Sequence, residues 1–252
     1  MNIKPKMLTL LCLVMPLGLA ACSSNNSAQK QAAKAELKPS LLETIDGVWV
    51  AEKYISALKA TKTPFVDHLE SITVRAADKK LTWTNYHEGY GQAIGDSGQE
   101  GNLYFVSVAA PESTEPNFKK VHFSLLDNAL IFLEPGITGQ TNTRFVKINE
   151  DLPQYANKLL LAGKYKDSEG NNYEFTADGK ANWPNMSFSY TFVLDPSEAT
   201  CPYINTSIRK GEGETVRFGY KWLAGQLYFF DITADEAPIS CAKLPLFSLT
   251  KL

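Results

Sequence analysis

The chain has few of the residue types from which metal and nucleophilic sites are usually built. Its 252 residues include only four cysteines and three histidines. The histidines lie at positions 68, 87 and 122, whereas Cys201 and Cys241 lie far from them along the chain. No cysteine–histidine cluster with metal-ligand spacing, no Walker motif and no GxGxxG loop occurs. We therefore expect no catalytic residue, no metal site and no cofactor, and a protein that is not an enzyme.

The chain also lacks an excess of positive charge. Its 25 lysines and arginines face 27 acidic residues, which gives a formal net charge of -2. Proteins that bind nucleic acid usually carry a basic stripe, so nucleic acid is not an expected partner. The hydrophobic fraction of 44% is sufficient for a packed core. Past the first 21 residues, the sequence contains no second long apolar run.

The start of the chain has the pattern of a secretory signal. Lys4 and Lys6 precede an apolar segment at 7–19, and small residues follow it. A membrane-spanning helix needs about 20 apolar residues, so this segment is short for a span. The ending Leu19–Cys22 (LAAC) resembles the lipobox of bacterial lipoproteins.

The lipobox resemblance implies a lipid anchor. In that family the cysteine thiol, here that of Cys22, carries a diacylglycerol, and the residues before it, 1–21, are removed. Ser23 and Ser24 resemble the sorting pattern for the outer membrane of gram-negative bacteria. The expected location is the outer membrane, facing either the periplasm or the exterior, with the membrane as a partner through the anchor. Residues 22–40 are polar, with little to bury, and we predict a flexible tether there.

Export also bears on the two remaining cysteines, because thiols in an oxidising compartment usually pair. We therefore predict a disulfide between Cys201 and Cys241. The alternative is a two-cysteine metal site, for which no further ligand lies nearby in the sequence.

Short alternating segments predict an all-β fold. Ser71–Arg75 and Thr143–Ile148 alternate in polarity, and turn residues separate such runs along the chain. One short helix is predicted over Glu52–Thr61, after the first strand. The expected architecture is an antiparallel meander that forms two small barrel-like lobes.

We place these lobes at residues 41–150 and 151–252, with the boundary near 149–155, where residues 149–153 are typical of a linker. Three pairs of segments in the two lobes match: Gly47-x-Trp49 with Gly163-x-Tyr165, Asn128–Phe132 with Gly225–Phe229, and Arg144–Ile148 with Phe247–Lys251. These matches are typical of a tandem duplication, and also of unrelated β sequences that share a pattern.

The segment Gly47-Val48-Trp49 resembles the Gly-x-Trp start of lipocalin-like (calycin) barrels. The resemblance implies an up-and-down barrel, with the tryptophan at the closed end and an apolar ligand at the open end. Each lobe is shorter than a typical lipocalin, and the predicted helix follows the first strand instead of ending the chain. The alternative is that Trp49 is an ordinary core residue.

The segment 86–90 is the candidate contact site for a ligand or partner. It combines two aromatic rings, an imidazole and a carboxylate, on Tyr86, His87, Glu88 and Tyr90. A metalloprotease motif would need a second histidine at position 91, which is Gly91. The glycines at 89 and 91 favour a loop or bulge. The alternative is a hairpin tip with a hydrogen-bonded histidine.

The next segment, 95–98 (GDSG), is similar to the serine motif of chymotrypsin-like proteases. The match ends at Gln99, where that family has glycine. With further glycines at 91 and 101, we predict a glycine-rich loop here.

These observations lead to a functional hypothesis. We expect a non-enzymatic binding module for a small apolar ligand or an envelope lipid. The alternative is an interaction protein that docks an envelope protein partner, as an inhibitor or an assembly factor. A hydrolase is the third hypothesis.

The anchor is tested by replacing Cys22. The Cys22→Ala variant should lose its acyl chains and leave the membrane fraction, because those chains hold the protein at the bilayer. Globomycin, which inhibits the signal peptidase of lipoproteins, should leave an unprocessed precursor of the wild type. Cys12→Ala, inside the signal segment, is the control and should fractionate as wild type does. Retention of Cys22→Ala in the outer membrane would contradict the anchor.

Overall fold

Two closed barrels of eight antiparallel strands follow one another along the chain. This arrangement, which confirms the all-β prediction, comes from a computed structural model. The structure describes residues 40–66, 69–85, 89–109, 118–133, 142–194, 199–210, 214–232 and 238–252. Both barrels belong to one compact unit, residues 39–252.

Each barrel has a simple up-and-down topology. The strands of the first barrel are β1 (Gly47–Ala51), β2 (Ser71–Arg75), β3 (Lys80–Thr84), β4 (Gly89–Glu100), β5 (Leu103–Ala109), β6 (Phe118–Leu126), β7 (Ala129–Phe132) and β8 (Thr143–Ile148). Those of the second are β9 (Gly163–Lys166), β10 (Asn172–Phe175), β11 (Lys180–Trp183), β12 (Met186–Phe192), β13 (Tyr203–Lys210), β14 (Glu214–Leu223), β15 (Gln226–Asp231) and β16 (Phe247–Lys251). Within each barrel every strand pairs with the next, and the last strands, β8 and β16, close the barrels against β1 and β9.

Three short helices accompany the barrels: α1 (Leu41–Ile45), α2 (Glu52–Thr61) and α3 (Leu152–Leu160). The predicted helix is α2, with the predicted bounds. The helices α1 and α3 were not predicted, and the linker predicted at 149–153 is wrong because α3 begins at Leu152. The Asp151 side chain caps α3 by accepting from the backbone N–H of Gln154. Among the described residues, no helix is both long and apolar enough to cross a bilayer.

The predicted glycine-rich loop is also wrong, because residues 89–100 form the twelve-residue strand β4. Its glycines fit a strand because side chains from neighbouring strands lie against them. An added Cβ at Gly95 would lie 3.0 Å from the Phe118 ring, and one at Gly98 would lie 3.0 Å from the Phe105 ring. The register shifts between Ile94 and Ser97, so β4 is irregular at its middle.

The same aromatic anchor closes both barrels. In the first, the indole N–H of Trp49 donates to the Ile45 carbonyl over 2.8 Å. In the second, the Tyr165 hydroxyl donates to the Leu161 carbonyl over 2.5 Å. In each case the acceptor lies four residues before the ring. We call Trp49 and Tyr165 the anchor rings.

A lysine from the last strand covers each anchor ring. The ammonium group of Lys147 lies 5.5 Å from the Trp49 ring centroid, and that of Lys251 lies 5.8 Å from the Tyr165 ring centroid. The glycine two positions before each ring has a positive φ, +122° at Gly47 and +150° at Gly163. A Cβ at either glycine would lie 2.8 Å from Cε of the covering lysine. Lys147 therefore corresponds to Lys251, one residue away from the match made on sequence.

The two barrels share one continuous apolar core. Its buried residues include Tyr54 and Leu58 of α2, Leu160 of α3 and the inward side chains of both barrels. The α2 and α3 helices contact each other directly. The Lys62 ammonium, just after α2, donates to the Leu159 carbonyl of α3 over 3.4 Å. The helices therefore join the barrels through apolar packing.

The predicted disulfide between Cys201 and Cys241 is present. It packs against β14 at Gly219, which has no side chain. A Cβ at Gly219 would lie 2.1 Å from Sγ of Cys241 and 3.3 Å from Sγ of Cys201. A satellite apolar cluster contains Ala199, Tyr203 and Ile239, with Phe65 from the first half of the chain packed against it. Residues near the bond therefore tie distant segments together.

Replacing Gly219 tests this packing. We expect Gly219→Ala to lower the free energy of unfolding by about 1–3 kcal/mol or more, because the added methyl overlaps a disulfide sulfur. The control is Gly89→Ala, whose Cβ would make only an ordinary 3.6 Å contact with Thr84 Oγ1. Urea unfolding of both variants measures the difference. Equal stability of the two variants would contradict the described packing.

Candidate functional site

The candidate site lies inside the first barrel, on the facing strands β3 and β4. Leu81 and Trp83 alternate onto one face of β3, and Leu81 is buried in the core. On β4, Gln92 pairs with Leu81 and Tyr90 pairs with Trp83. The rings of Trp83 and Tyr90 stack with centroids 6.1 Å apart. Trp83, Tyr90 and Gln92 thus share the inward face, and we call them the inner triad.

Two polar atoms of the inner triad are buried without a hydrogen-bond partner. Trp83 Nε1, a donor, and Gln92 Oε1, an acceptor, have no partner among the described residues. Buried polar groups are nearly always hydrogen-bonded, and leaving one unpaired costs about 1–3 kcal/mol. A bound molecule that supplies the missing partners would remove this cost.

Strand register identifies the corresponding positions of the second barrel. Because the anchor rings occupy the same place, the residues paired with them, Ile72 and Tyr173, also correspond. The next strand places Trp83 opposite Ile72. In the second barrel Trp183 occupies that place, and its ring centroid lies 5.6 Å from that of Tyr173. Each barrel therefore has an inward tryptophan at the same position.

The side chains around these two tryptophans differ greatly in size. Continued register gives three further pairs of positions: Gln92 with Phe188, Val121 with Phe218, and Thr143 with Phe247. The Trp183 ring centroid lies 4.9 Å from that of Phe188, 5.3 Å from that of Phe218 and 5.2 Å from that of Phe247. Aromatic rings thus fill the second barrel around Trp183, whereas smaller side chains take their positions in the first.

Of the four contact residues predicted from sequence, only Tyr90 lies in the described structure. Tyr90 is 38% exposed, in the strand β4 instead of a loop, so that part of the prediction is wrong. Tyr86, His87 and Glu88 lie outside the described residues, as does Cys22. Tyr90 was predicted from sequence as a contact residue, whereas Gln92 was not. Alternation along β4 places Gln92 on the same face as Tyr90, but only the pairing with β3 shows that this face is the inward one.

Two clefts lie beside the β9–β10 hairpin of the second barrel, with volumes of about 420 and 560 Å³, and Tyr173 lines both. The carboxylate of Asp167, in the larger cleft, already accepts hydrogen bonds from its own hairpin. It accepts from the backbone N–H groups of Glu169 and Asn171, the Asn171 amide and the Tyr173 hydroxyl, over 2.9 to 3.1 Å. These bonds, above all the one from the Asn171 side chain, lower the pKa of Asp167. Asp167 therefore stabilises the hairpin.

An exposed charged cluster lies on the outer face of the first barrel. The Glu100 carboxylate accepts from the Lys120 ammonium and lies 3.1 Å from Nε2 of His122. These bonds, with Lys120 first, lower the pKa of Glu100. Exposed pairs of this kind contribute little to stability. In the part of the chain that the structure describes, no group of three or more histidine, cysteine or acidic residues could hold a metal.

Comparison with known proteins gives no relative. No family model, no curated protein and no solved structure matches the chain.

One buried carboxyl group was not anticipated from sequence. Glu70, at the entry to β2, is 7% exposed, and its backbone carbonyl accepts from the N–H of Ala51 over 2.9 Å. Loss of hydration raises the pKa of its carboxyl to about 7. The neutral form is therefore favoured in the folded protein up to near-neutral pH.

This shift predicts a pH dependence of stability. The folded state holds the Glu70 proton more tightly than the unfolded chain, whose carboxyl titrates near pH 4.5. The contribution of Glu70 is thus complete below pH 4.5 and is lost as the pH rises to about 7. Glu70→Gln should raise the free energy of unfolding at pH 8 by roughly 1–3 kcal/mol and leave it nearly unchanged at pH 4.

Urea unfolding at the two pH values measures this effect. The control is Glu174→Gln, at a partly exposed position of the second barrel. If Glu70→Gln and Glu174→Gln change stability equally at both pH values, the buried state of Glu70 is contradicted.

Proposed function

We propose that the protein is a non-enzymatic binding module, and that the first barrel holds a small, mostly apolar molecule such as an envelope lipid. The observation that carries the proposal is that a donor and an acceptor on facing strands, Trp83 Nε1 and Gln92 Oε1, both lack partners. The second barrel also has an unpartnered indole N–H, that of Trp183, but phenylalanine stands at the position of the acceptor. Ligand pockets of proteins typically combine apolar walls with a few polar groups that orient the ligand.

The surroundings of the inner triad support an apolar ligand. Ile72, Leu81 and Ile94, which share its face, are each at most 4% exposed. Tyr90 is partly exposed and stacks on Trp83, so its ring could cover a bound chain while it touches solvent. These features favour entry of the ligand at Tyr90.

The second barrel is better suited to a structural role. Aromatic rings pack against Trp183, which also lines the smaller cleft, and the barrel continues through α3 into the shared core. We infer that it supports the first barrel and does not hold a ligand in its interior.

The proposed setting is the cell envelope, with Cys22 as the lipid anchor. The Cys201–Cys241 disulfide supports an oxidising compartment, since such bonds persist outside the cytosol. A lipid-binding module tethered to a membrane would act where its ligand is concentrated.

The alternative, docking of an envelope protein partner, is favoured by one apolar surface feature. Leu244 and Leu246, which precede β16, are 79% and 47% exposed. This alternative requires no ligand inside the first barrel, so the experiment below separates the two functions.

The proposal is tested with a neutral apolar fluorophore, N-phenyl-1-naphthylamine. Wild type should bind it saturably, with a blue-shifted emission. Tyr90→Ala should weaken binding about tenfold or more, because an aromatic contact at a binding site often contributes about 2 kcal/mol. The control is Met186→Ala, at the corresponding position of the second barrel, where Met186 is 45% exposed.

Thermal unfolding of each variant shows whether its fold is intact. The Met186→Ala variant should bind the fluorophore as wild type does. Absence of saturable binding to wild type, or equal weakening by the two replacements, would contradict a ligand site in the first barrel.

A further inference from the structure

We infer that the first barrel selects ligands whose head group is uncharged and carries both a hydrogen-bond acceptor and a donor, such as a primary amide or an alcohol on an aliphatic chain. This inference rests on the proposed function and names the ligand class of the same site.

The two unpartnered atoms require complementary groups on the ligand. The indole N–H of Trp83 can only donate, so it needs an acceptor. The carbonyl oxygen of Gln92 can only accept, so it needs a donor. An amide supplies a carbonyl and an N–H on adjacent atoms, and a hydroxyl supplies both functions on one oxygen. A carboxylate has no donor, and an ammonium has no acceptor.

The apolar side chains next to the inner triad offer no charge to pair with a charged head group, and the buried Glu70, two positions before Ile72, favours its neutral form up to near-neutral pH. The neighbours of the inner triad, Ile72, Leu81 and Ile94, are apolar and buried. The nearby cation, Lys80, lies against Gly91, on the opposite face of β4 from Tyr90 and Gln92. An ion at the inner triad would lose its hydration without a counter-ion, which costs several kcal/mol for each buried ion.

The second barrel lacks this selectivity because it lacks the acceptor. Phe188 stands at the position that corresponds to Gln92 and packs against the Trp183 ring, with centroids 4.9 Å apart. Selection by a paired donor and acceptor is therefore a property of the first barrel.

A series of ten-carbon ligands with equal chains tests the head group. Decanamide, decan-1-ol, decanoate and decylammonium are each titrated at pH 7.5, below their micellar concentrations, against the protein loaded with N-phenyl-1-naphthylamine. Decanamide and decan-1-ol should displace the fluorophore from wild type. Decanoate and decylammonium should require at least about tenfold higher concentrations, because their charges would be desolvated.

A variant of Gln92 then tests the acceptor. Gln92→Leu keeps a similar volume and removes the carbonyl, so it should weaken decanamide binding about tenfold. The control is Gln99→Leu, on the same strand, where the glutamine is exposed and donates to the Gly101 carbonyl. That variant should bind decanamide as wild type does.

The outcomes separate this inference from the proposed function. If wild type does not bind the fluorophore and no ten-carbon ligand binds, both the proposed function and the inference fail. If the fluorophore binds but decanoate or decylammonium competes as well as decanamide does, the inference is overturned and the proposed function stands. Unchanged decanamide binding by a folded Gln92→Leu protein would also overturn it. The comparison of the four ten-carbon ligands uses wild-type protein alone. It therefore tests the inference even if Gln92→Leu misfolds.

Discussion

Closure of the first strand onto the last is the constraint on which the rest of each barrel depends. It is fixed by an anchor ring whose polar atom is bonded to a carbonyl four residues earlier and whose face is covered by a lysine. Glycine precedes the ring because the lysine chain crosses there, with a backbone of positive φ. Once the first and last strands are paired in this way, the pairing register of each further strand follows from its neighbour. The register determines which face of each strand points inward.

The same frame allows two different interiors. Around Trp183 the frame is filled with phenylalanine rings, which gives a packed core. Around Trp83 the corresponding positions carry Gln92, Val121 and Thr143, and two polar atoms there lack partners. A buried polar group without a partner lowers the stability of the folded protein, but it is free to bond to a ligand. The well-packed second barrel with its disulfide offsets this loss of stability.

Much of the fold could be predicted from local sequence, and the reasons are visible in particular segments. The bounds of α2 and β8 and the match of Leu130 and Phe132 with Leu227 and Phe229 are confirmed, because alternation and turn residues report local structure directly. The strand β4 was not predicted because glycine has a weak preference for strands. In the folded protein, rings from neighbouring strands pack against its glycines and favour the strand there. The site depends on register between distant strands, so Gln92 could not be recognised as an inward residue from its sequence neighbours alone.

The central claim, that a ligand in the first barrel accepts a hydrogen bond from the indole N–H of Trp83, can be measured by NMR. The chain has four tryptophans, hence four indole N–H resonances. Those of Trp49 and Trp222 are already bonded to the carbonyls of Ile45 and Leu160. That of Trp183 has no partner, but phenylalanine rings pack against its indole. On titration with decanamide, we predict that the Trp83 indole resonance moves downfield and saturates while the other three remain in place. A shift of the Trp183 resonance instead, or no shift of the Trp83 resonance at saturating ligand, would contradict the account.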